Sequence, residues 1–109
     1  MKAYLSGPIT GIPDWRERFA QAAEYVGHLG AEVINPAHLE PPIAAPSWAD
    51  YILYDLTHLR RANVLVLLPG ADRSPGALVE KAFAIGLGIP VVDLAEIRGH
   101  LVQSERNKA

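Results

Sequence analysis

Two carboxylates sit beside apolar helix positions, where a buried charge would need a partner. Glu80 closes the run Ser74-Pro75-Gly76-Ala77-Leu78-Val79-Glu80, and at helical spacing it shares a face with Gly76, Ala77, Phe83 and Ala84. Asp55 lies beside the stripe Trp48, Ile52, Leu56 and Leu59. Charged residues are rarely buried unless paired. Two carboxylates beside one scissile bond are the equipment of glycosidic cleavage, one as nucleophile and one as acid or base. Burial raises one pKa into a useful range while the other stays ionised. A glycosyl carbon bearing a leaving base suits this chemistry. The plainer alternative for Glu80 is a solvated helix glutamate, and spacing alone leaves both open.

Other residues have the right types to assist. Tyr4 can donate its hydroxyl to the nucleophile and hold its orientation; the alternative is a partly buried strand aromatic. Ser6-Gly7-Pro8-Ile9-Thr10-Gly11 follows a strand and is similar to a phosphate-cradling loop. It lacks both G-x-G-x-x-G and the Lys-Ser/Thr of a P-loop, so a tight strand-to-helix turn is the competing reading. Ser74 can bind an anion through its hydroxyl and free helix N–H groups, or it can simply cap the helix. Gly76 lets a ligand come close. Trp48 and Tyr51 can stack on a base or join the core. His28, His38, His58 and His100 show no ligand spacing, so a metal site is not expected; no cofactor is expected either.

The elements that must position these groups alternate. Lys2 to Leu5 reads as a strand, and Phe19, Ala22, Ala23, Val26 and Leu29 as a helix face. Asp14 and Glu17 have capping-box spacing at its start, and Gly30 ends it. Glu32-Val33-Ile34 is a second strand. A loop over 37–46 leads to a helix capped by Ser47, with Asp50 three residues on. Residues 63–68 form an apolar third strand, the helix from Pro75 follows, and 89–94 form a fourth strand. Residues 95–101 suit a short last helix. This order implies a doubly wound parallel sheet of four to five strands in three α/β/α layers. Ligands of such sheets bind beyond the carboxyl ends of the strands, where the strand order reverses. Segments 6–11, 35–48 and 69–76 all fall there. One domain is expected over 1–103, with a frayed tail over 104–109.

Composition narrows the function. The chain has 109 residues, half of them hydrophobic, which suits one domain with a full core. It has no cysteine, so disulfides and cysteine-ligated zinc do not arise. The net charge of −2 argues against a nucleic-acid polymer as partner. No apolar run approaches the roughly 20 residues of a membrane span. A cytoplasmic protein with a small-molecule substrate is the expectation.

Three segments carry a family resemblance: Lys2-Ala3-Tyr4-Leu5-Ser6-Gly7-Pro8; Asp55 with Leu56, Leu59 and Ala62; and Ser74-x-Gly76-x-x-x-Glu80. In order and spacing they resemble the nucleoside 2-deoxyribosyltransferase-like superfamily, which includes the deoxynucleoside 5′-monophosphate N-glycosidases. Its small bacterial and phage branch is the most similar, and the likeness spans roughly residues 2–93. The resemblance implies a flavodoxin-like (Rossmann-like) fold and a double displacement. The glutamate matching Glu80 would attack C1′ and release the base. The aspartate matching Asp55 would protonate the base or hold the sugar, and the tyrosine matching Tyr4 would bond the nucleophile. Ser6, Gly7, Pro8, Trp48, Ser74 and Gly76 are then the expected substrate-binding residues. The resemblance also implies a homo-oligomer.

The chain departs from the resembled proteins at three places. Asn63 stands where an aspartate is common, Pro8 and Thr10 replace a serine and an arginine that serve a 5′-phosphate, and the C-terminal segment is short. The expected activity is cleavage or transfer at the N-glycosidic bond of a (deoxy)nucleoside or (deoxy)nucleotide, by a deoxyribosyltransferase or N-glycosidase. The competing readings are a non-catalytic binding module for a nucleotide or sugar phosphate, and a structural subunit.

Overall fold

The computed structural model describes residues 1–108. The strands are β1 (Lys2–Ser6), β2 (Glu32–Ile34), β3 (Val64–Leu67) and β4 (Val91–Asp93). The helices are α1 (Trp15–His28), α2 (Trp48–Leu59), α3 (Pro75–Gly86) and α4 (Ile97–Lys108). All strand pairs are parallel, in the order β2-β1-β3-β4. The expected sheet is therefore present, with four strands. The chain leaves β1 toward one edge and returns at β3 toward the other, so the order reverses between β1 and β3.

Alternation along the two central strands sorts the layers. Ala3, Leu5, Val64 and Val66 face α1 and α4, meeting Phe19, Ala22, Val26, Ile97 and Leu101. Tyr4 and Leu65 face the other way, against Leu59, Ala62 and Ala84 from α2, its exit and α3. Both faces of β1 and β3 are buried, which accounts for their continuous apolar character. Ser6 stands two residues beyond Tyr4 and so shares its face.

The helix starts differ from one another. Ser47 and Asp50 form the expected capping box on α2. Ser74 caps α3 by accepting from the Ala77 N–H at 3.3 Å, with Pro75 in the first turn. Asp14 makes no side-chain capping bond to α1. Its carboxylate pairs instead with Arg18 at 3.0 Å, so the expected box with Glu17 gives way to an ion pair one turn on. The last helix runs on to Lys108, well past Leu101, so residues 104–108 of the expected frayed tail are helical. Ala109 lies outside the described residues.

Asn63 has a structural role away from the carboxyl edge. At the amino end of β3 its Oδ1 accepts from the Lys2 N–H at 2.7 Å, and its own N–H donates to the Lys2 carbonyl at 2.8 Å. The departure from aspartate there removes no carboxylate from the crevice.

Gly7 marks the tightest approach at that crevice. A Cβ on Gly7 would lie 2.8 Å from Cβ of Leu68, closer than such atoms come. Leu68 is buried at the end of the central strand, so it cannot yield cheaply. Gly7→Ala is expected to cost about 1–3 kcal/mol, as overpacking does. Urea denaturation checks this, and an unchanged midpoint would show that the loop yields.

Candidate active site

The carboxyl edge of β1 and β3 opens into a cavity of about 940 Å³. That is within the range of small-molecule sites, roughly 300–1,000 Å³. All three expected segments contribute to its wall: Gly7 and Pro8 after β1; Pro36, Ala37, Leu39, Glu40 and Trp48 after β2; and Pro69, Gly70 and Arg73 to Gly76 after β3. Asp55 and Glu80 line it too.

Glu80 sits on the buried face of α3 and is 5% exposed. Two hydroxyls of β1 reach it. The Tyr4 hydroxyl donates to Oε2 at 2.5 Å, and the Ser6 hydroxyl donates to Oε1 at 2.8 Å. The alternation that puts Tyr4 and Ser6 on one face of β1 thus aims both at one carboxylate. Glu80 is not a solvated helix glutamate.

Asp55 sits on α2 and is 8% exposed. Its Oδ1 is buried without a hydrogen-bond partner. A buried unpaired oxygen costs free energy, most of all when it is charged.

The two carboxyls are treated unequally. Burial pushes the Glu80 pKa above the ordinary value, while the bonds from Tyr4 and Ser6 hold it down by favouring the anion. Asp55 has no such donor. Burial, and then the charge of Glu80, push it up to about 7. Burial and the neighbouring carboxylates raise the Tyr4 phenol far above its ordinary range, so it stays a neutral donor. The geometry therefore orients one carboxylate with two donors that oppose the effect of burial, beside a second carboxyl that has no such donor and holds its proton near neutrality.

The expected residues fall into two groups. Gly7, Pro8, Trp48, Ser74 and Gly76 line the cavity. Trp48 is 55% exposed, so it belongs to the cavity mouth rather than the core. Tyr51 lines the same wall and donates to Glu40 Oε1 at 2.7 Å. Gly76 also has a packing role, since a Cβ there would come within 3.2 Å of Cδ1 of Ile52 on α2. Ser6 is the correction. It is fully buried, its hydroxyl donates to Glu80, and it stands behind the carboxylate instead of in the cavity wall. Tyr4, likewise fully buried, donates to the same carboxylate from the same side.

Sequence reasoning missed Arg16, Arg18 and Arg73, which also line the cavity. They lie outside the motifs, and their reach into the crevice depends on long side chains. Among the described residues no group of three or more His, Cys, Asp or Glu is placed to hold a metal ion, and no helix is long and apolar enough to cross a membrane.

Removing one donor tests the support behind Glu80. Tyr4→Phe should raise the Glu80 pKa, because a bond that favours the anion is lost. The acid limb of the kcat/KM profile is then expected to move to higher pH, with kcat down about tenfold at its old optimum. An unmoved acid limb would detach Tyr4 from Glu80 ionisation.

Comparison with known proteins adds the wider setting. The chain is similar to the 2-deoxyribosyltransferase of the psychrotolerant bacterium Bacillus psychrosaccharolyticus, with 24% identity, a TM-score of 0.64, and coverage of 85% of this chain and 71% of that one. It is also similar to BlsM, known from a solution structure, with 24% identity, a TM-score of 0.63, and coverage of 94% and 72%. At that identity the likeness is one of fold. Comparison with the curated proteins found no match. Residues 1–93 match the family described as domain of unknown function DUF4406, so this chain belongs to that family and carries the 2-deoxyribosyltransferase fold.

Proposed function

We propose that the chain acts on the N-glycosidic bond of a (deoxy)nucleoside or (deoxy)nucleotide through a covalent glycosyl–Glu80 intermediate. The observation that carries this is the buried Glu80 carboxylate, aimed by Tyr4 and Ser6 beside a second buried carboxyl in one cavity. A binding module would have no need of such a pair. The likeness in fold to a 2-deoxyribosyltransferase supports the same reading.

The steps follow from the two environments. Ionised Glu80 attacks C1′ of the sugar while the C1′–N bond breaks. Asp55 gives its proton to the departing base, which leaves neutral. Asp55, now ionised, takes a proton from water or from a second base as that nucleophile attacks C1′ and displaces Glu80. Two inversions give net retention. Tyr4 and Ser6 keep Glu80 in place through both steps. Trp48 and Tyr51 offer the base a stacking wall.

The test is a base-release assay. The purified protein is incubated with ribo- and deoxyribonucleosides and their monophosphates, with and without a second free base. Free base is the expected product of hydrolysis, and a new nucleoside that of transfer. No product from any substrate, in a folded protein, would overturn the reading and leave a binding module.

A further inference from the structure

Glu40 is a third carboxylate of the cavity, and the chemistry above leaves it unused. It comes from the loop after β2 and is exposed. Its Oε1 accepts from the Tyr51 hydroxyl at 2.7 Å, a bond that spans eleven residues of chain and ties the loop to α2. Among the described residues Glu40 makes no other hydrogen bond and no ion pair, so Oε2 is free to accept. Tyr51 fixes where this pair stands relative to Asp55. It precedes Asp55 by four residues on α2, so the two share a face one turn apart. One turn rises about 5.4 Å, comparable to the span of a base ring with its substituents. Trp48 lies three residues before Tyr51, at the cavity mouth. All four residues line the one cavity. A base that takes its proton from Asp55 and lies along α2 toward Trp48 therefore brings its far edge to Glu40 and Tyr51.

Resting on the glycosidic reading, we infer that Glu40 selects the base. The site prefers a base with an exocyclic amino group at that edge, as in adenine and cytosine, over one with a carbonyl there, as in hypoxanthine and uracil. A carboxylate can only accept. An amino group facing it donates and gains a charge-assisted bond, which is the stronger kind. A carbonyl oxygen facing it has nothing to donate, and the two acceptors repel. Sites built to bond a polar group reject the analogue that lacks it, because their own group is left unpaired. Glu40 is exposed, so water partly repairs the wrong match and the discrimination is moderate. Tyr51 is the positioning residue. Its hydroxyl spends its proton on Oε1, which holds the carboxylate and leaves Oε2 for the base.

The test compares substrates that differ in that one group: deoxycytidine with deoxyuridine, and deoxyadenosine with deoxyinosine, each also as its 5′-monophosphate. In base release by the unaltered protein, kcat/KM for the amino member of each pair is expected to exceed that for the carbonyl member by at least about tenfold. In Glu40→Gln the ratio should fall to near one, because the amide can turn either its oxygen or its NH₂ to the base. Tyr51→Phe keeps the carboxylate but frees it to turn, and should give an intermediate ratio. Glu40 is exposed, so the glutamine variant should keep its melting temperature. A ratio near one in the unaltered protein, a preference for the carbonyl member, or a ratio that survives Glu40→Gln would overturn the assignment. The two proposals fail separately. Calorimetric titration with free bases, cytosine against uracil and adenine against hypoxanthine, reads the same edge without turnover. Selective binding of the amino bases that is lost in Glu40→Gln, without release from any substrate, would remove the glycosidic reading and keep Glu40 as the reader of the base. Release that ignores the exchange of amino for carbonyl would do the reverse. Neither release nor binding would overturn both.

Discussion

Glu80→Gln is expected to lower kcat by at least about 10³-fold and to leave the fold intact, because on the proposed mechanism it removes the nucleophile and little else. Glutamine has nearly the same shape. Its amide oxygen can still accept from one of the two hydroxyls that now reach Glu80, and its NH₂ can donate to the other. What is lost is the anion. Burial raises the Glu80 pKa, so ionised Glu80 costs stability, and a neutral side chain relieves that cost. The melting temperature of the variant should therefore be equal to or above that of the unaltered protein near neutral pH. A binding module would behave otherwise, keeping its affinity and having no turnover to lose. Intact-mass measurement after an acid quench supplies a second readout. The unaltered protein should gain the mass of one glycosyl group, and Glu80→Gln should not. Undiminished turnover in the variant would end the covalent mechanism.

How far the site is legible in the sequence depends on which period carries each residue. Glu80 and Asp55 are readable because helical spacing sets each beside apolar neighbours, and both prove buried. The pairing of Tyr4 with Glu80, expected from the family resemblance, is present as a hydrogen bond. Ser6 carries a signal of its own: it lies two residues from Tyr4 on the same strand, so a strand that presents one hydroxyl to α3 presents the next as well. The β-α alternation specifies the parallel sheet and the edge where the cavity lies. The failures come from competition between local partners and from missing periodicity. Asp14 has capping-box spacing, but Arg18 one turn later takes its carboxylate. The polar end of α4 has no apolar stripe to reveal it, yet the helix persists through Lys108. Arg16 and Arg73 belong to no motif, and only the fold brings both to one cavity.

Asp55→Asn should separate the acid from the nucleophile. With a neutral leaving base, kcat/KM is expected to fall by about 10²–10³, the usual worth of general acid catalysis. In the unaltered protein the Asp55 carboxyl, at about 7, keeps its proton below neutrality, so kcat/KM should decline as pH rises above that value. Asparagine cannot ionise, and this alkaline limb should vanish with it. A nucleoside whose base is already cationic, such as a 7-methylpurine, leaves without a proton. On that substrate the variant should stay within about tenfold of the unaltered protein. An equal loss on both substrates would make Asp55 a sugar-holding residue instead of the acid. Stability gives an independent sign. The carboxyl moves from 3.8 to about 7 on folding, so between those values the folded state holds a proton that the unfolded state has lost. Stability therefore falls as pH rises through that window, and the loss is complete above it. The asparagine variant would carry no such penalty. The melting temperature of Asp55→Asn relative to the unaltered protein should accordingly rise from pH 4 to pH 8, by about 5 °C for each kcal/mol relieved in a domain of this size. A rise of that sign, together with loss of the alkaline limb, would tie the proton that Asp55 holds in the folded state to the one the proposed mechanism spends on the leaving base.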